Sequence, residues 1–380
     1  MVFRFTCFDL LWLPRQILNN DDKTKSIYFT AEADFPENRK KPEGLRVFTY
    51  LELTFITRDF EHSSKKVEGE FGSIYEGPFI FPDRGNRYVF IKKLKGKYAK
   101  GHKQWVKEVK LLGSIDHPNL VKLVGYCVKR NEESGMQRFL VYENIDVGIS
   151  LGGRIFKNSH PFYDKYMLGW TSRLKVALAV ACGLACLHEA TDNKVAFGDF
   201  NHSNVHLCRA DGHISAKLSN FRLHQNRLAH VSTEDIGNME YIAPEYIDGG
   251  NLTSKSDVWS YGVFLFELIS GNRLLDTNRP TNEQNLIDWV KSSIDSEKFE
   301  EITDARIDRT YSLKSVQSLC LIANMCLTKE PKSRPEMRHI LEIVNQLTLE
   351  QSETASPAPP LQSLVPKDVQ HTNSSCLPRL

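Results

Sequence analysis

The sequence predicts an α+β protein in which the strands and the helices are segregated into two lobes. β-Branched and aromatic residues typical of paired strands run from Phe71 to Leu94, with a turn rich in Gly, Asn and Asp at Pro82–Asn86. Helical apolar patterns come later in the chain, at Trp105–Leu112, Leu174–Glu189 and Val258–Ile269. Because the strands come early and the helices late, repeated βαβ units are not expected.

The bulk composition is that of a globular protein. Of the 380 residues, 41% are hydrophobic and 25% are charged, which excludes the composition of a disordered chain. Lys and Arg total 49 against 47 Asp and Glu, so no strong field favours nucleic acid, and no nucleic-acid partner is predicted. The eight cysteines lack the paired CxxC spacing of a zinc site, and we expect reduced thiols of a cytosolic protein.

Three segments are predicted along the chain. Residues 1–46 are a leader and linker, with an apolar start that lacks a secretory cleavage site. Cys7 in this leader is either an acylated residue, which would give peripheral membrane contact, or an unmodified thiol. Residues 47–350 form one folded domain, with lobes of 47–143 and 144–350, and the Ser- and Pro-rich residues 351–380 are predicted to be disordered. No apolar run is long enough to predict a membrane-spanning helix.

A glycine-rich segment containing Gly69 and Gly72 lies between strand-like runs. Glycine lets backbone amides approach phosphate groups because no Cβ intrudes, although for such a pattern alone a tight turn is the better explanation. Further motifs follow in a fixed order. They are Val89-Phe90-Ile91-Lys92, Glu108 on a helix, Asp199 and Asn204, Asn220-Phe221-Arg222, and Ala243-Pro244-Glu245. Their order and spacing together match the protein-kinase signature set.

The chain resembles the plant receptor-like cytoplasmic kinases, and within them the PBS1-like subfamily. The strings that carry this resemblance, beside the motifs above, are Gly101-His102-Lys103-Gln104-Trp105, His117-Pro118-Asn119-Leu120-Val121 and Leu252-Thr253-Ser254-Lys255-Ser256-Asp257-Val258-Trp259. The resemblance implies a two-lobed eukaryotic protein-kinase fold, with a β-rich N-lobe and a helical C-lobe. It also implies a Ser/Thr-type kinase of immune-receptor signalling, located in the cytoplasm or at the plasma membrane.

Several positions match residues to which the resemblance assigns catalytic roles. Lys92 would hold the nucleotide phosphates and Glu108 would orient that lysine, while Gly69 and Gly72 would cover the phosphates. Asp199 would be the catalytic base, a retained position that we predict to be idle.

Three more matches concern the metal and the architecture of the fold. Asn204 would ligate the second metal ion. Glu245 is expected to pair with Arg334, and Asp257 is expected to brace the catalytic loop from a buried helix.

The predicted metal site departs from the family pattern. Asn220 stands where the family has the aspartate that ligates Mg²⁺, and Arg222 stands where it has glycine. A hard dication prefers anionic oxygen, so a neutral amide is a poor ligand. The metal site formed by Asn204 and Asn220 is therefore predicted to be degenerate.

The predicted adenine pocket departs on both faces. Phe90 replaces the small alanine two residues before Lys92, and His206 replaces the apolar residue two positions after Asn204. Overpacking costs about 1–3 kcal/mol unless the pocket rearranges, so both side chains are predicted to block the base. A one-residue slip of the alignment is the other explanation, but the spacing to Lys92 and Asn204 argues against it.

Further departures lie in the catalytic and activation segments. They are Val67, Gly198, Asn201, Asn238 and Glu240, where the family has glycine, arginine, lysine, threonine and glycine respectively. Ser232 and Thr233 remain as candidate phosphoacceptors, or as ordinary loop hydroxyls.

The sequence favours a non-catalytic scaffold, decoy or regulator over an enzyme. Such a protein would bind an immune receptor or an active kinase through its kinase-like surface, and would need no cofactor. One alternative is an active Ser/Thr kinase that uses ATP and Mg²⁺ through unusual ligands, and another is a degenerate member without a specific role. If the site is idle, Lys92, Glu108 and Asp199 keep only structural roles. The sequence does not decide the oligomeric state.

Overall fold

The computed structural model describes residues 44–69, 72–81, 85–94, 102–131, 135–144, 151–156, 167–189, 195–198, 200–210, 213–219, 241–307 and 311–354. Its first part is a β-rich N-lobe and its later part a helical C-lobe, so the predicted α+β two-lobed fold is confirmed. The strands are β1 (Arg46–Val47), β2 (Lys65–Gly69), β3 (Gly72–Phe81), β4 (Gly85–Leu94), β5 (Leu123–Asn131), β6 (Gly135–Glu143), β7 (Val205–Ala210) and β8 (His213–Leu218). The helices are α1 (Tyr50–Ile56), α2 (His102–Ser114), α3 (Leu151–Ile155), α4 (Trp170–Glu189), α5 (Pro244–Ile247), α6 (Ser254–Ser270), α7 (Leu286–Asp295), α8 (Phe299–Ile302), α9 (Leu313–Cys326) and α10 (Met337–Thr354).

Strands β1 to β6 form one sheet in the order β1-β5-β6-β4-β3-β2. The predicted hairpin is confirmed, because β3 and β4 pair antiparallel from Gly72–Leu94 to Phe81–Gly85. Strand β1 joins β5 in the parallel sense and every other pair in this sheet is antiparallel. Side chains alternate between the two faces of such a sheet, so one face is turned to α1 and the other to the cleft between the lobes.

Helix α1 covers the outer face of the sheet. It begins at a capping box made by Thr49 and Glu52. The Thr49 hydroxyl accepts a hydrogen bond from the Glu52 backbone N–H, and the Glu52 carboxylate accepts one from the Thr49 backbone N–H. Leu53 and Ile56 of α1 are buried with Val89 of β4 in a separate apolar cluster. The N-lobe therefore has its own small core above the sheet.

The C-lobe is built around α4, which packs against α6, α10 and the β7–β8 hairpin. This helix is long and apolar enough to span a membrane, with a mean hydropathy of 1.4, but 67% of that stretch is buried inside the protein. A core helix gives the same signal, and Trp170 at its start donates a hydrogen bond to the Ser315 hydroxyl, 2.8 Å away, on α9. The predicted helices at Trp105–Leu112, Leu174–Glu189 and Val258–Ile269 lie within α2, α4 and α6.

The last helix corrects one predicted boundary. The Ser/Pro-rich tail was expected to begin at residue 351, but α10 runs through Thr354. Gln351 is only 3% exposed, and its side-chain oxygen accepts a hydrogen bond of 3.1 Å from the Ser312 backbone N–H. Composition alone missed this contact because it joins residues far apart in the chain. Residues 355–380 and 1–43 lie outside the described residues.

Candidate functional site

The roof of the cleft is the inner face of β3, β4 and β6. Val89 and Ile91 of β4 are buried under α1, so Phe90 and Lys92, which alternate with them, point to the opposite face. Lys92 pairs with Ile74 of β3 and with Leu140 of β6. The structure thus brings the predicted pocket-blocking residue and the predicted phosphate-binding lysine onto the same surface.

Lys92 and Glu108 interact across this surface, as the resemblance implies. Glu108 lies on α2 and is buried. Burial raises the pKa of its carboxyl, and the positive charge of Lys92 partly opposes that shift. The helix itself is fixed by Trp105, whose ring contacts that of Tyr126 edge-on with centroids 5.3 Å apart.

Phe90 is flanked by residues that sequence reasoning did not single out. It pairs directly with Tyr142 of β6 on one side and with Glu76 of β3 on the other. Tyr142 is partly buried, and burial together with the nearby Glu108 carboxylate raises the pKa of its phenol. Asn144, just after β6, donates a 3.4 Å hydrogen bond to Glu76 Oε1. The roof around Phe90 is therefore filled by large or hydrogen-bonded side chains.

The floor of the cleft is the β7–β8 hairpin. Val205 and Leu218 are buried in the C-lobe core, so His206 and its direct partner Lys217 point away from that core. His206 Nε2 lies 2.6 Å from the Ser219 hydroxyl, and burial lowers the pKa of the imidazole. A neutral, hydrogen-bonded ring thus occupies the position predicted for an apolar floor residue.

An ion pair connects this floor to the segment that joins the lobes. Lys217 Nζ lies 2.7 Å from Glu143 Oε1, and the same oxygen accepts a 3.2 Å bond from the Lys122 backbone N–H. Sequence reasoning missed the pair because its partners are 74 residues apart. The only signal of this ion pair in the sequence was Lys217 itself, in the strand that pairs with His206.

The predicted brace of the catalytic loop is present. Asp257 on α6 accepts hydrogen bonds from the backbone N–H groups of Phe197 at 2.6 Å and Gly198 at 3.0 Å. Its carboxylate also lies 2.8 Å from His188 Nε2. Gly198 adopts φ +94°, a conformation that side-chain-bearing residues rarely adopt. The backbone conformation at position 198 therefore favours glycine over the arginine that the family has there.

Asn201 and Asn204 of the predicted catalytic loop are both buried, and both form hydrogen bonds with nearby residues. Asn201, at the position expected for lysine, caps the turn His202–Asn204, and its Oδ1 accepts a 2.9 Å bond from the Ser203 N–H. Asn204 is buried, and its backbone oxygen accepts a 3.1 Å bond from the Ser219 N–H. Asn201 is therefore a structural cap with its side chain turned away from solvent.

The other architectural pair is confirmed. Arg334 is fully buried and forms a two-pronged ion pair with Glu245, with N–O distances of 2.8 and 2.7 Å. Burial alone would raise the pKa of Glu245, but the Arg334 hydrogen bonds lower it. This pair ties α5 to the base of the C-lobe.

The glycine-rich segment is only partly described. Gly69 ends β2 and faces Gly72, which begins β3 with φ +151°. A Cβ on Gly72 would come within 2.2 Å of the Lys93 carbonyl oxygen, so only glycine fits here. Asp199, Asn220, Phe221, Arg222, Ser232, Thr233, Asn238 and Glu240 lie outside the described residues, and their predicted roles remain predictions.

The two predicted magnesium ligands include no carboxylate. The two predicted ligands, Asn204 and Asn220, offer neutral amide oxygens, whereas Mg²⁺ prefers carboxylates. Among the described residues, no group of three His, Cys, Asp or Glu side chains is suited to a metal.

Comparison with known proteins shows what the chain is similar to. The model of the protein tyrosine and serine/threonine kinase family matches residues 61–344. The serine/threonine-protein kinase PCRK1 of Arabidopsis thaliana is 41% identical over 333 residues, which cover 85% of this chain and 77% of that relative. PCRK2 of the same plant is 41% identical over 336 residues, covering 85% and 76%. Receptor-like cytoplasmic kinase 176 of Oryza sativa subsp. japonica is 40% identical over 325 residues, covering 83% and 79%.

Proposed function

Because this chain belongs to the protein tyrosine and serine/threonine kinase family, we propose that it is a catalytically impaired receptor-like cytoplasmic kinase of the PBS1-like subfamily. In this proposal it acts as a scaffold, decoy or regulator in plant immune-receptor signalling. The relative named receptor-like cytoplasmic kinase 176 supports the broader assignment and a cytoplasmic location.

The observation that carries the proposal is the crowding of the cleft. Phe90 lies on the roof beside the partly buried Tyr142, and His206 lies on the floor, bonded to Ser219. An adenine ring needs flat apolar contacts on both sides, and it would have to displace a phenyl ring and break the bond between His206 and Ser219. Each of these changes costs about 1–3 kcal/mol, and no metal enters this estimate.

The contacts retained from the kinase pattern support a protein that keeps the kinase fold without catalytic activity. The Lys92–Glu108 interaction, the Asp257 brace and the Glu245–Arg334 pair all hold elements in place without a substrate. A kinase-like surface kept rigid in this way suits recognition by an immune receptor or by an active kinase. Peripheral contact with the plasma membrane through Cys7 belongs to the same proposal.

A nucleotide thermal-shift assay on the full chain tests the proposal. A ligand at about 100 times its Kd stabilises the native state by about 2.7 kcal/mol, which gives a clear rise in Tm. We expect no rise with millimolar ATP, with or without Mg²⁺ or Mn²⁺. The matched variant Phe90→Ala/His206→Leu, which reopens both faces, should regain a shift. A full shift in the unmodified protein would refute the crowding argument.

The alternative is an active Ser/Thr kinase, and the Lys92–Glu108 interaction is the observation that favours it. Autophosphorylation that disappears in Lys92→Ala would establish this alternative. Affinity purification from plant tissue then identifies partners, and equal recovery by the wild type and Lys92→Ala is expected for a scaffold that needs no nucleotide.

A further inference from the structure

The outer face of the N-lobe carries two lysines that lie over aromatic rings. Lys129 Nζ is 3.6 Å from the centroid of the Tyr50 ring, and Lys93 Nζ is 4.8 Å from that of Phe60. The two rings stack on each other, with centroids 5.8 Å apart and planes inclined by 30°. We call these four residues the lysine platform. Its two ammonium groups are held on neighbouring rings.

The platform is held by a fixed backbone. Arg58, Asp59 and Phe60 all adopt left-handed conformations, with φ values of +50°, +57° and +57°. Such a conformation costs a residue with a side chain about 1 kcal/mol, so the surrounding contacts must hold the turn. The Thr57 hydroxyl accepts a 3.0 Å bond from the Phe60 N–H, and the Phe60 ring stacks on Phe139 at 5.5 Å. Phe60 is thus locked in position.

Strand register places both lysines on the face of this turn. Lys93 of β4 pairs with Phe139 of β6, which pairs with Cys127 of β5. Lys129 lies two residues after Cys127 and so shares its face. Lys65 of β2 is a third cation nearby, but its ammonium is 2.8 Å from the Glu68 carboxylate.

The charges on the platform are not neutralised. Among the described residues, neither Lys93 nor Lys129 forms an ion pair with a carboxylate. Burial and the charge of Lys129 lower the pKa of Lys93, and Asp59 only partly opposes this. An aromatic ring attracts a cation without cancelling its charge. Within the described part of the chain, two like charges therefore lie close together, and neither is in an ion pair with a carboxylate.

We propose that Lys93 and Lys129 bind a phosphorylated side chain of a partner protein. A phosphate monoester carries nearly two negative charges and three acceptor oxygens, which matches two ammonium donors. The neighbouring α1 exposes Leu51 and Phe55, at 56% and 70%, which lie one turn apart and offer an apolar contact to the residues beside the phosphate.

A protein partner fits this surface better than a lipid bilayer does. Asp59 lies close enough to act on the charge of Lys93, and Glu68 pairs with the neighbouring Lys65. These acidic charges would repel an extended anionic surface while leaving room for one local dianion. The site goes beyond the proposed function and does not depend on what occupies the cleft.

Titration of the full chain with a short peptide library carrying one fixed phosphoserine tests the site. Binding is measured by calorimetry and by NMR of ¹⁵N-labelled lysine side chains. Lys93→Gln/Lys129→Gln should weaken binding at least about tenfold, because each lysine makes a charge-assisted contact. The control Lys329→Gln/Lys332→Gln removes two exposed charges from the C-lobe and should bind like wild type. Lys93→Arg/Lys129→Arg, which keeps both charges, should retain most of the affinity.

Several outcomes would overturn the proposal. One is equal binding by the platform variant and the C-lobe control. Another is binding of the unphosphorylated library, inorganic phosphate or sulfate as tight as that of the phosphoserine library. A third is preferential binding to phosphatidylserine vesicles, which would assign the surface to a membrane. Because the ATP thermal shift is a separate measurement, failure here leaves the proposed function standing.

Discussion

Asp257→Asn isolates the brace that holds the catalytic loop to the C-lobe. The wild-type carboxylate is 2% exposed and receives three hydrogen bonds, from the N–H groups of Phe197 and Gly198 and from His188. The amide keeps one acceptor oxygen and turns an NH₂ group towards donors, so at least one bond is lost outright. Charge-assisted bonds contribute about 1.5–3 kcal/mol each, so we expect a loss of about 3 kcal/mol or more.

Equilibrium urea unfolding followed by circular dichroism measures this loss. Asp295→Asn, the same chemical change on an exposed residue at the end of α7, should stay within about 0.5 kcal/mol of the wild type. Hydrogen exchange provides a local readout, since the amides of Phe197 and Gly198 should lose protection more than those of α4. If Asp257→Asn lies within about 1 kcal/mol of the wild type, the brace does not stabilise the fold.

Three further changes test separate features. Burial raises the pKa of the Glu108 carboxyl in the folded protein. The fold therefore loses stability as pH rises through that raised pKa, because the buried carboxyl must then ionise. Glu108→Gln should therefore gain stability relative to the wild type in urea titrations as pH rises from acid through that raised pKa. Burial alone would raise the pKa of Asp304, but hydrogen bonds from Arg306 lower it, so its contribution is present at neutral pH and lost in acid. Asp304→Asn should be less stable at neutral pH, with a deficit that shrinks as pH falls. Gly198→Ala should cost about 1–2 kcal/mol in the same assay because of its positive φ, whereas Gly169→Ala, with open space at its Cβ, should be nearly neutral.

Local patterns predicted the parts of the fold that depend on neighbouring residues. The β3–β4 hairpin and helices α2, α4 and α6 follow from turn chemistry and apolar spacing. Two distant contacts, Glu245 with Arg334 and Asp257 with the catalytic loop, were predicted through the resemblance alone. Periodicity carries no information about which distant side chains meet.

The features that sequence reasoning missed all join segments far apart or depend on exact backbone angles. The Lys217–Glu143 ion pair and the Gln351 contact link separate elements, and no local pattern marks either. The left-handed turn at Arg58–Phe60 contains no glycine, so the usual signal for positive φ is missing. Its stability comes from tertiary packing of the Phe60 ring.

Under the proposed function, Asn201 shows why a single reversion is not expected to restore catalysis. Its side chain is not a truncated lysine left in the cleft, because it is buried and caps the turn that positions Asn204. Lysine there would remove the cap, which contributes about 1 kcal/mol, and would have to leave a buried site to reach a phosphate. The crowding by Phe90 and His206 would remain as well. A lysine at this position would change both the catalytic loop and its stability. The proposed impairment therefore predicts that an active variant requires changes at Phe90, His206 and the metal ligands together.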